Sequence, residues 1–130
     1  MLRKGSIMPK KIDLHSDIDH ILIDEPTLKN RVKELAARLT EEYKGKNPIF
    51  VCILKGSVNF FSDLTREFDD YCEYDFMSVS SYGKSMKTTG YVRILKDLDM
   101  TITDRHVIIV EDIMDSGRTL DHLTCMLRER

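Results

Sequence analysis

The sequence predicts an α/β fold: an open, mostly parallel sheet with flanking helices. Two apolar runs, Ile49–Leu54 and Val107–Val110, have the length of strands and lack the alternation with polar residues of a strand that faces water. Each run leads into a short segment with glycine and serine, and then into apolar residues at helical spacing. Strands that alternate with helices in this way are typical of parallel sheets whose strands are covered on both faces.

The size and charge of the chain limit its classes of function. It has 130 residues, enough for one domain with a substantial core, and 42% of them are hydrophobic. The 20 Lys and Arg residues and 22 Asp and Glu residues give a net charge of -2. No overall positive field is therefore available to attract nucleic acid, and no nucleic-acid partner is expected.

Several features bear on location. No apolar run approaches the roughly 18 residues of a membrane span, and the basic start of the chain leads into no apolar signal region. The three cysteines form no Cys-x-x-Cys pair, and Cys52 and Cys125 are expected to be small buried thiols. A cytoplasmic protein with no membrane association is predicted.

The first part of the chain divides into a tail and a core domain. Residues 1–11 are basic and show no periodicity, which predicts a flexible tail, and residues 12–130 are assigned to the core domain. Residues 18–24 are apolar enough for a short strand or a docking segment, after which Thr27 can cap a helix. Apolar positions at helical spacing then predict a helix over residues 28–44.

The first apolar run continues into Lys55-Gly56-Ser57, and a second helix begins at Val58. The free N–H groups and dipole of a helix start favour an anion, and a lysine beside them adds positive charge. An ordinary turn is the alternative interpretation. A third strand is predicted over residues 72–80 and a returning strand over residues 91–95, with a long polar loop between them. Such a loop is either a functional lid or a floppy hairpin.

The second apolar run ends in an acidic pair, Glu111 and Asp112, and residues 115–119, Asp-Ser-Gly-Arg-Thr, then lead into a third helix. Glycine allows close approach to a phosphate, and hydroxyls can bind it. Two carboxylates beside such a turn suggest sugar hydroxyls, a divalent cation or both, with Asp115 as a possible proton acceptor. The alternative is ordinary turn and N-cap chemistry. The spacing does not fit the Walker A phosphate loop.

Residues 107–120, VIIVEDIMDSGRTL, resemble the phosphoribosyl pyrophosphate signature of the purine phosphoribosyltransferases, most closely the hypoxanthine-guanine enzymes. Leu54-Lys55-Gly56 and Ser81-Tyr82-Gly83 match two further motifs in the family order. The resemblance implies a type I phosphoribosyltransferase core and a role in purine salvage. The implied reaction is Mg2+-dependent transfer of a 5-phosphoribosyl group from phosphoribosyl pyrophosphate to hypoxanthine or guanine, giving IMP or GMP and pyrophosphate.

The resemblance also implies a role for each motif. Leu54, Lys55 and Gly56 correspond to a pyrophosphate loop with a cis peptide before the lysine, and Ser81 and Tyr82 to the start of a mobile loop. Glu111 and Asp112 correspond to residues near the ribose hydroxyls and the metal. Asp115 corresponds to the catalytic base beside the purine N7. The residues of the 5-phosphate loop are Asp115, Ser116, Gly117, Arg118 and Thr119.

The family continues well past the third helix, so the match corresponds to a C-terminally truncated core. The missing part of the family carries a lysine that reads the purine oxygen, an aromatic residue that stacks on the base, a metal-linked aspartate and a pyrophosphate-binding arginine. Missing core strands would expose an apolar edge, and the family implies a homo-oligomer, a dimer or a tetramer. A noncatalytic nucleotide-sensing regulator of the same fold and a xanthine-type phosphoribosyltransferase remain alternatives.

Overall fold

A computed structural model describes residues 14–81 and 92–130 of the chain. The predicted tail, Tyr82 and most of the predicted long loop lie outside the described residues, and the domain boundary at residue 12 stays a prediction. After a short 3-10 helix, Leu14–Asp17, the elements in chain order are α1 (Glu25–Glu42), β1 (Ile49–Leu54), α2 (Val58–Glu67), β2 (Glu73–Ser81), β3 (Val92–Lys96), β4 (Val107–Val110) and α3 (Arg118–Arg128).

The described strands form one sheet in the order β3-β2-β1-β4. β1 pairs in parallel with β2 and with β4, whereas β3 pairs antiparallel with β2. The prediction of an open, mostly parallel α/β sheet is therefore confirmed. Because β1, β2 and β4 run in the same direction, their carboxyl ends lie at one edge of the sheet, where such folds bind ligands.

The core lies on both faces of β1, whose successive side chains point to opposite sides. Phe50 and Cys52 pack with residues of α1 and α2, such as Ala36 and Leu64. Ile49, Val51 and Ile53 pack on the other face with α3 residues that include Leu123. This double burial explains why β1 is a continuous apolar run.

The predicted central position is wrong for β4, whereas its predicted coverage on both faces is confirmed: Ile108 packs against the core on the side of α1 and α2, and Val107 and Ile109 pack against the core on the side of α3. Within the described residues β4 pairs only with β1 and forms an edge of the sheet, and only Val110 of its four residues is buried. A four-residue apolar run reports how its faces are packed and does not specify how many strands pair with it.

The start of α1 also differs from the prediction. The helix begins at Glu25, and its N-cap is Asp24, whose Oδ1 accepts a hydrogen bond of 2.9 Å from the Thr27 N–H. Pro26 fits in the first turn because its missing N–H would have no helical partner there. A strand before it is wrong as well: residues 18–24 contain no strand, and the apolar residues Ile18, Ile21, Leu22 and Ile23 are exposed.

The remaining predicted elements agree with the structure within two residues. The antiparallel β2–β3 pair confirms the returning strand, and Leu123 and Leu127 form the buried face of α3. Cys52 is buried as expected, but the prediction for Cys125 is wrong because this residue is exposed on α3. No helix in the described part of the chain combines the length and the apolar character needed to cross a membrane.

Candidate functional site

A cleft of about 410 Å³ opens at the carboxyl ends of the parallel strands. It is bounded by the end of β1, by β2 and by the segment that joins β4 to α3. Half of its twelve lining residues were predicted as site residues: Leu54, Glu111, Asp115, Ser116, Gly117 and Thr119. The fold therefore brings parts of two separate motifs into one cavity.

We call residues 115–119 the phosphate turn. Gly117 is the N-cap of α3 and has φ +76° and ψ -10°, a left-handed conformation that favours glycine. A Cβ at this position would have open space, since the nearest atom is the Met114 sulfur at 3.9 Å. Glycine is therefore required here by backbone conformation. It also offers no side chain to cap α3, which leaves the first helical N–H groups available to an anion.

We call residues 54–57 the pyrophosphate loop. The Leu54–Lys55 peptide is cis, as the resemblance implied. Lys55 and Gly56 are exposed, whereas Ser57, the N-cap of α2, is fully buried. The loop therefore exposes the cationic Lys55 side chain and the Gly56 backbone to solvent, while Ser57 at its end is buried.

The pyrophosphate loop contacts the acidic pair directly. A Cβ placed on Gly56 would lie 3.0 Å from each carboxylate oxygen of Asp112. Gly56 does not have a positive φ of the kind found at Gly117. A side chain at Gly56 would therefore require the Asp112 carboxylate, which lies against the backbone here, to move by a few tenths of an ångström.

The two acids sit in different environments. Glu111 is partly buried and lines the cleft, whereas Asp112 is exposed. Burial raises the pKa of Glu111 above its usual value, and the neighbouring Asp112 carboxyl raises this pKa further. Burial also raises the pKa of the Cys52 thiol, and both acids are close enough to add to that effect.

The acidic pair is suited to Mg2+, which commonly binds through one or two carboxylates together with water and substrate phosphates. A cation would also offset the repulsion that raises the pKa of Glu111. In the described ranges no cluster of three or more His, Cys, Asp or Glu side chains could hold a metal ion. These residues fit a metal that is held jointly with a bound phosphate ligand.

The structure separates some of the predicted site residues from the cleft. Lys55, Gly56, Asp112 and Arg118 do not line it, although Gly56 and Asp112 touch each other beside it. Ser81 ends β2, near the same edge of the sheet.

Sequence reasoning missed the apolar half of the cleft. Its members are Ile53, Val79, Ile113, Met114, Leu120 and Leu123. Ile113 and Met114 are 73% and 70% exposed, which is unusual for large apolar side chains. The sequence did contain a signal for Ile113 and Met114, because these two apolar residues stand between the acidic pair and the polar phosphate turn.

Comparisons with known proteins agree on one family. A family model described as "Phosphoribosyl transferase domain" matches residues 20–130. The hypoxanthine-guanine phosphoribosyltransferase of Bacillus subtilis strain 168 is 46% identical over 114 residues, which cover 88% of this chain and 63% of that protein. The solved structure of a hypoxanthine phosphoribosyltransferase from Staphylococcus aureus superimposes with a TM-score of 0.84 at 42% identity, covering 92% of this chain and 65% of that one.

The chain covers only part of the length of its relatives. Besides the 63% and 65% above, it matches 18% of the "Bifunctional protein TilS/HprT" of Listeria innocua, at 46% identity over 117 residues. The part matched by the family model, residues 20–130, includes the pyrophosphate loop, the phosphate turn and the acidic pair.

Proposed function

Because the chain belongs to the phosphoribosyltransferase family, we propose that it forms the catalytic core of a hypoxanthine-guanine phosphoribosyltransferase. The proposed reaction transfers the 5-phosphoribosyl group of phosphoribosyl pyrophosphate to N9 of hypoxanthine or guanine, giving IMP or GMP and pyrophosphate. One observation carries the proposal beyond the family. Leu54 of the pyrophosphate loop and Glu111 of the acidic pair line the same cleft as four residues of the phosphate turn, at the carboxyl edge of parallel strands.

The phosphate turn would bind the 5-phosphate. Ser116 and Thr119 are exposed hydroxyl residues that line the cleft, and Gly117 lets the phosphate approach the backbone. The first N–H groups of α3 and the helix dipole stabilise the negative charge. Arg118 is exposed at the start of the helix and adds positive charge nearby.

The pyrophosphate loop would hold the leaving group. Lys55 offers an ammonium group, and the loop backbone precedes the start of α2, whose dipole has the same favourable sign. Negative charge builds up on pyrophosphate as its bond to the ribose C1′ breaks. Donors that are fixed in place before this happens stabilise the transition state more than the substrate.

Glu111 and Asp112 would hold Mg2+ and lie near the ribose hydroxyls. The metal, when bound, supplies positive charge that offsets the charge of the pyrophosphate. The carboxylates themselves favour the cation-like sugar carbon that forms as the leaving group departs. The partial desolvation of Glu111, which raises its pKa, makes the interaction of this carboxylate stronger than it would be in water.

The purine would enter the apolar half of the cleft. Ile113 and Met114 present flexible, exposed apolar side chains on which a flat ring can pack. Asp115, in the same segment, lines the cleft and would accept or share the proton at the purine N7 as N9 attacks C1′. A homo-oligomer and a cytoplasmic location remain predictions.

Product formation from phosphoribosyl pyrophosphate and Mg2+ tests the proposal. Hypoxanthine, guanine and xanthine are supplied in parallel, and IMP, GMP and XMP are separated by chromatography. We expect IMP and GMP, with Asp115→Asn as the matched inactive control. Preference for xanthine would favour the xanthine-type enzyme. Binding of phosphoribosyl pyrophosphate without turnover on any base would favour a noncatalytic nucleotide-sensing regulator.

A further inference from the structure

We propose that Ser57 is a positioning residue for the pyrophosphate loop: its buried hydroxyl ties the two ends of the loop together and leaves the backbone amides of Asn59 and Phe60, in the first turn of α2, to the ligand. The inference rests on the proposed function, because it concerns how the same site holds pyrophosphate.

The hydroxyl closes the loop at its base. Ser57 is 0% exposed, and its Oγ donates a hydrogen bond of 2.5 Å to the carbonyl oxygen of Ile53. Ile53 is the last buried residue of β1, so the bond spans Leu54, Lys55 and Gly56. The exposed part of the loop is therefore fixed at both ends by one buried contact.

A second buried contact sets the direction of these hydrogen bonds. Cys52 Sγ lies 3.3 Å from Ser57 Oγ. The hydroxyl has one proton, and the short bond to the Ile53 carbonyl uses it, so the thiol must donate to the hydroxyl. The result is a chain from the Cys52 thiol through the Ser57 hydroxyl to the Ile53 carbonyl, all of it beneath the loop.

The same geometry keeps Ser57 from capping its own helix. A serine at the N-cap ordinarily accepts a hydrogen bond from an N–H of the first helical turn. Among the described residues, no such bond is made by Ser57, because its side chain turns back to Ile53. In the described structure the Val58 N–H bonds to the Lys55 carbonyl at 3.5 Å, and the N–H groups of Asn59 and Phe60 remain available for an anionic ligand.

Thr65 provides a matched control within the same helix. It is 8% exposed, and its Oγ1 donates a hydrogen bond of 2.8 Å to the carbonyl of Phe61, four residues earlier. The two hydroxyls thus make the same type of i to i-4 bond at similar burial. Only the hydrogen bond of Ser57 spans the pyrophosphate loop. An effect on ligand binding that came merely from losing a buried hydroxyl would therefore appear in the alanine variants of both residues.

The test compares binding of two ligands by calorimetry with Mg2+ present. Phosphoribosyl pyrophosphate engages both the phosphate turn and the pyrophosphate loop, whereas ribose 5-phosphate lacks the pyrophosphate. We expect Ser57→Ala to weaken binding of phosphoribosyl pyrophosphate roughly fivefold to tenfold, as for one lost positioning hydrogen bond. Binding of ribose 5-phosphate should change less than about twofold, and Thr65→Ala should change neither constant appreciably.

Each other outcome overturns the inference. Equal weakening of both ligands by Ser57→Ala, equal effects of Thr65→Ala, or no effect of either variant would show that the hydroxyl has a structural role only. If Ser57→Ala does not fold, Cys52→Ala removes the donor to the hydroxyl, and it must show the same ligand selectivity at a smaller size. Failure of the unaltered chain to bind phosphoribosyl pyrophosphate would instead overturn the proposed function.

Discussion

The pyrophosphate loop and the phosphate turn look alike in sequence but differ in why they have their shape. Both follow a parallel strand, contain glycine and serine, and lead into a helix. A side chain at Gly56 would have to displace the Asp112 carboxylate, whereas Gly117 is favoured by its left-handed backbone. Ser57 is fully buried and Ser116 is exposed. The same sequence pattern therefore forms both a loop that is held by a buried serine and a turn whose serine is exposed in the cleft.

The largest expected effect concerns Asp115 in the phosphate turn, because the pyrophosphate loop has no corresponding carboxylate. Asp115 places a carboxylate in the phosphate turn, where it lines the cleft. Asp115→Asn keeps the shape but removes the proton acceptor, so we expect kcat to fall about 10²-fold to 10⁴-fold. The dissociation constant of phosphoribosyl pyrophosphate should change little. Steady-state kinetics together with calorimetry measure both, and an unchanged kcat would contradict the role of Asp115.

The second prediction concerns the contact between Gly56 and Asp112. Gly56→Ala places a methyl group against the carboxylate, and we expect binding of phosphoribosyl pyrophosphate to weaken roughly tenfold, or about 1.4 kcal/mol. In an Asp112→Ala background the same substitution should have little further effect, because its steric partner is gone. A double-mutant cycle measured by calorimetry gives this coupling. Additive effects would mean that the close contact does not control the loop.

The third prediction concerns Gly117, where no side chain takes up the space. Gly117→Ala should lower the free energy of unfolding by about 1–2 kcal/mol, the usual cost of a left-handed conformation for a residue with a Cβ. Gly117→Asn should lower it less, since asparagine tolerates this conformation better. Urea denaturation measures the difference. Removal of the nearest side chain with Met114→Ala should not rescue Gly117→Ala, and a rescue would show that the constraint is steric.

The smallest expected effect concerns Glu111. Because the pKa of Glu111 is raised in the folded state, its charged form opposes folding at neutral pH. Glu111→Gln should therefore raise the free energy of unfolding at pH 7 by less than about 1 kcal/mol. The gain should disappear below about pH 4, where the unaltered glutamate is protonated. Denaturation across this pH range measures the stability, and binding of phosphoribosyl pyrophosphate with Mg2+ is measured in parallel. Glu111→Gln should show both a higher free energy of unfolding at pH 7 and weaker binding of the ligand.

The sequence predicted much of the fold because periodicity and burial agree in most elements. The apolar run of β1 matches its position between two strands and two helical layers. The sequence could not show that β4 is the edge strand of the described sheet, because strand pairing depends on contacts between residues that are far apart in the chain. The N-cap of α1 was misplaced because Thr27 and Asp24 are both good caps, and the local signal of Pro26, which fits the first turn of a helix capped by Asp24, was not used.

The candidate site was predicted unevenly for a similar reason. The chemical groups were evident, since acids, glycine and hydroxyls follow the carboxyl ends of the predicted parallel strands, where such folds bind ligands. The contact between Gly56 and Asp112 joins residues 56 positions apart, and no local pattern reports it. Ile113 and Met114 were overlooked because apolar residues near a strand end are ordinarily assigned to the core.

The central claim is that the pyrophosphate loop, the phosphate turn and the acidic pair form one site for phosphoribosyl pyrophosphate. Calorimetric titration of this ligand into the folded chain, with Mg2+ and then with EDTA, tests it most directly. We expect saturable binding at one site per chain with Mg2+ and at least about tenfold weaker binding with EDTA, since two unneutralised carboxylates would then repel the ligand. Absence of binding by folded protein, or equal affinity with and without Mg2+, would contradict the claim.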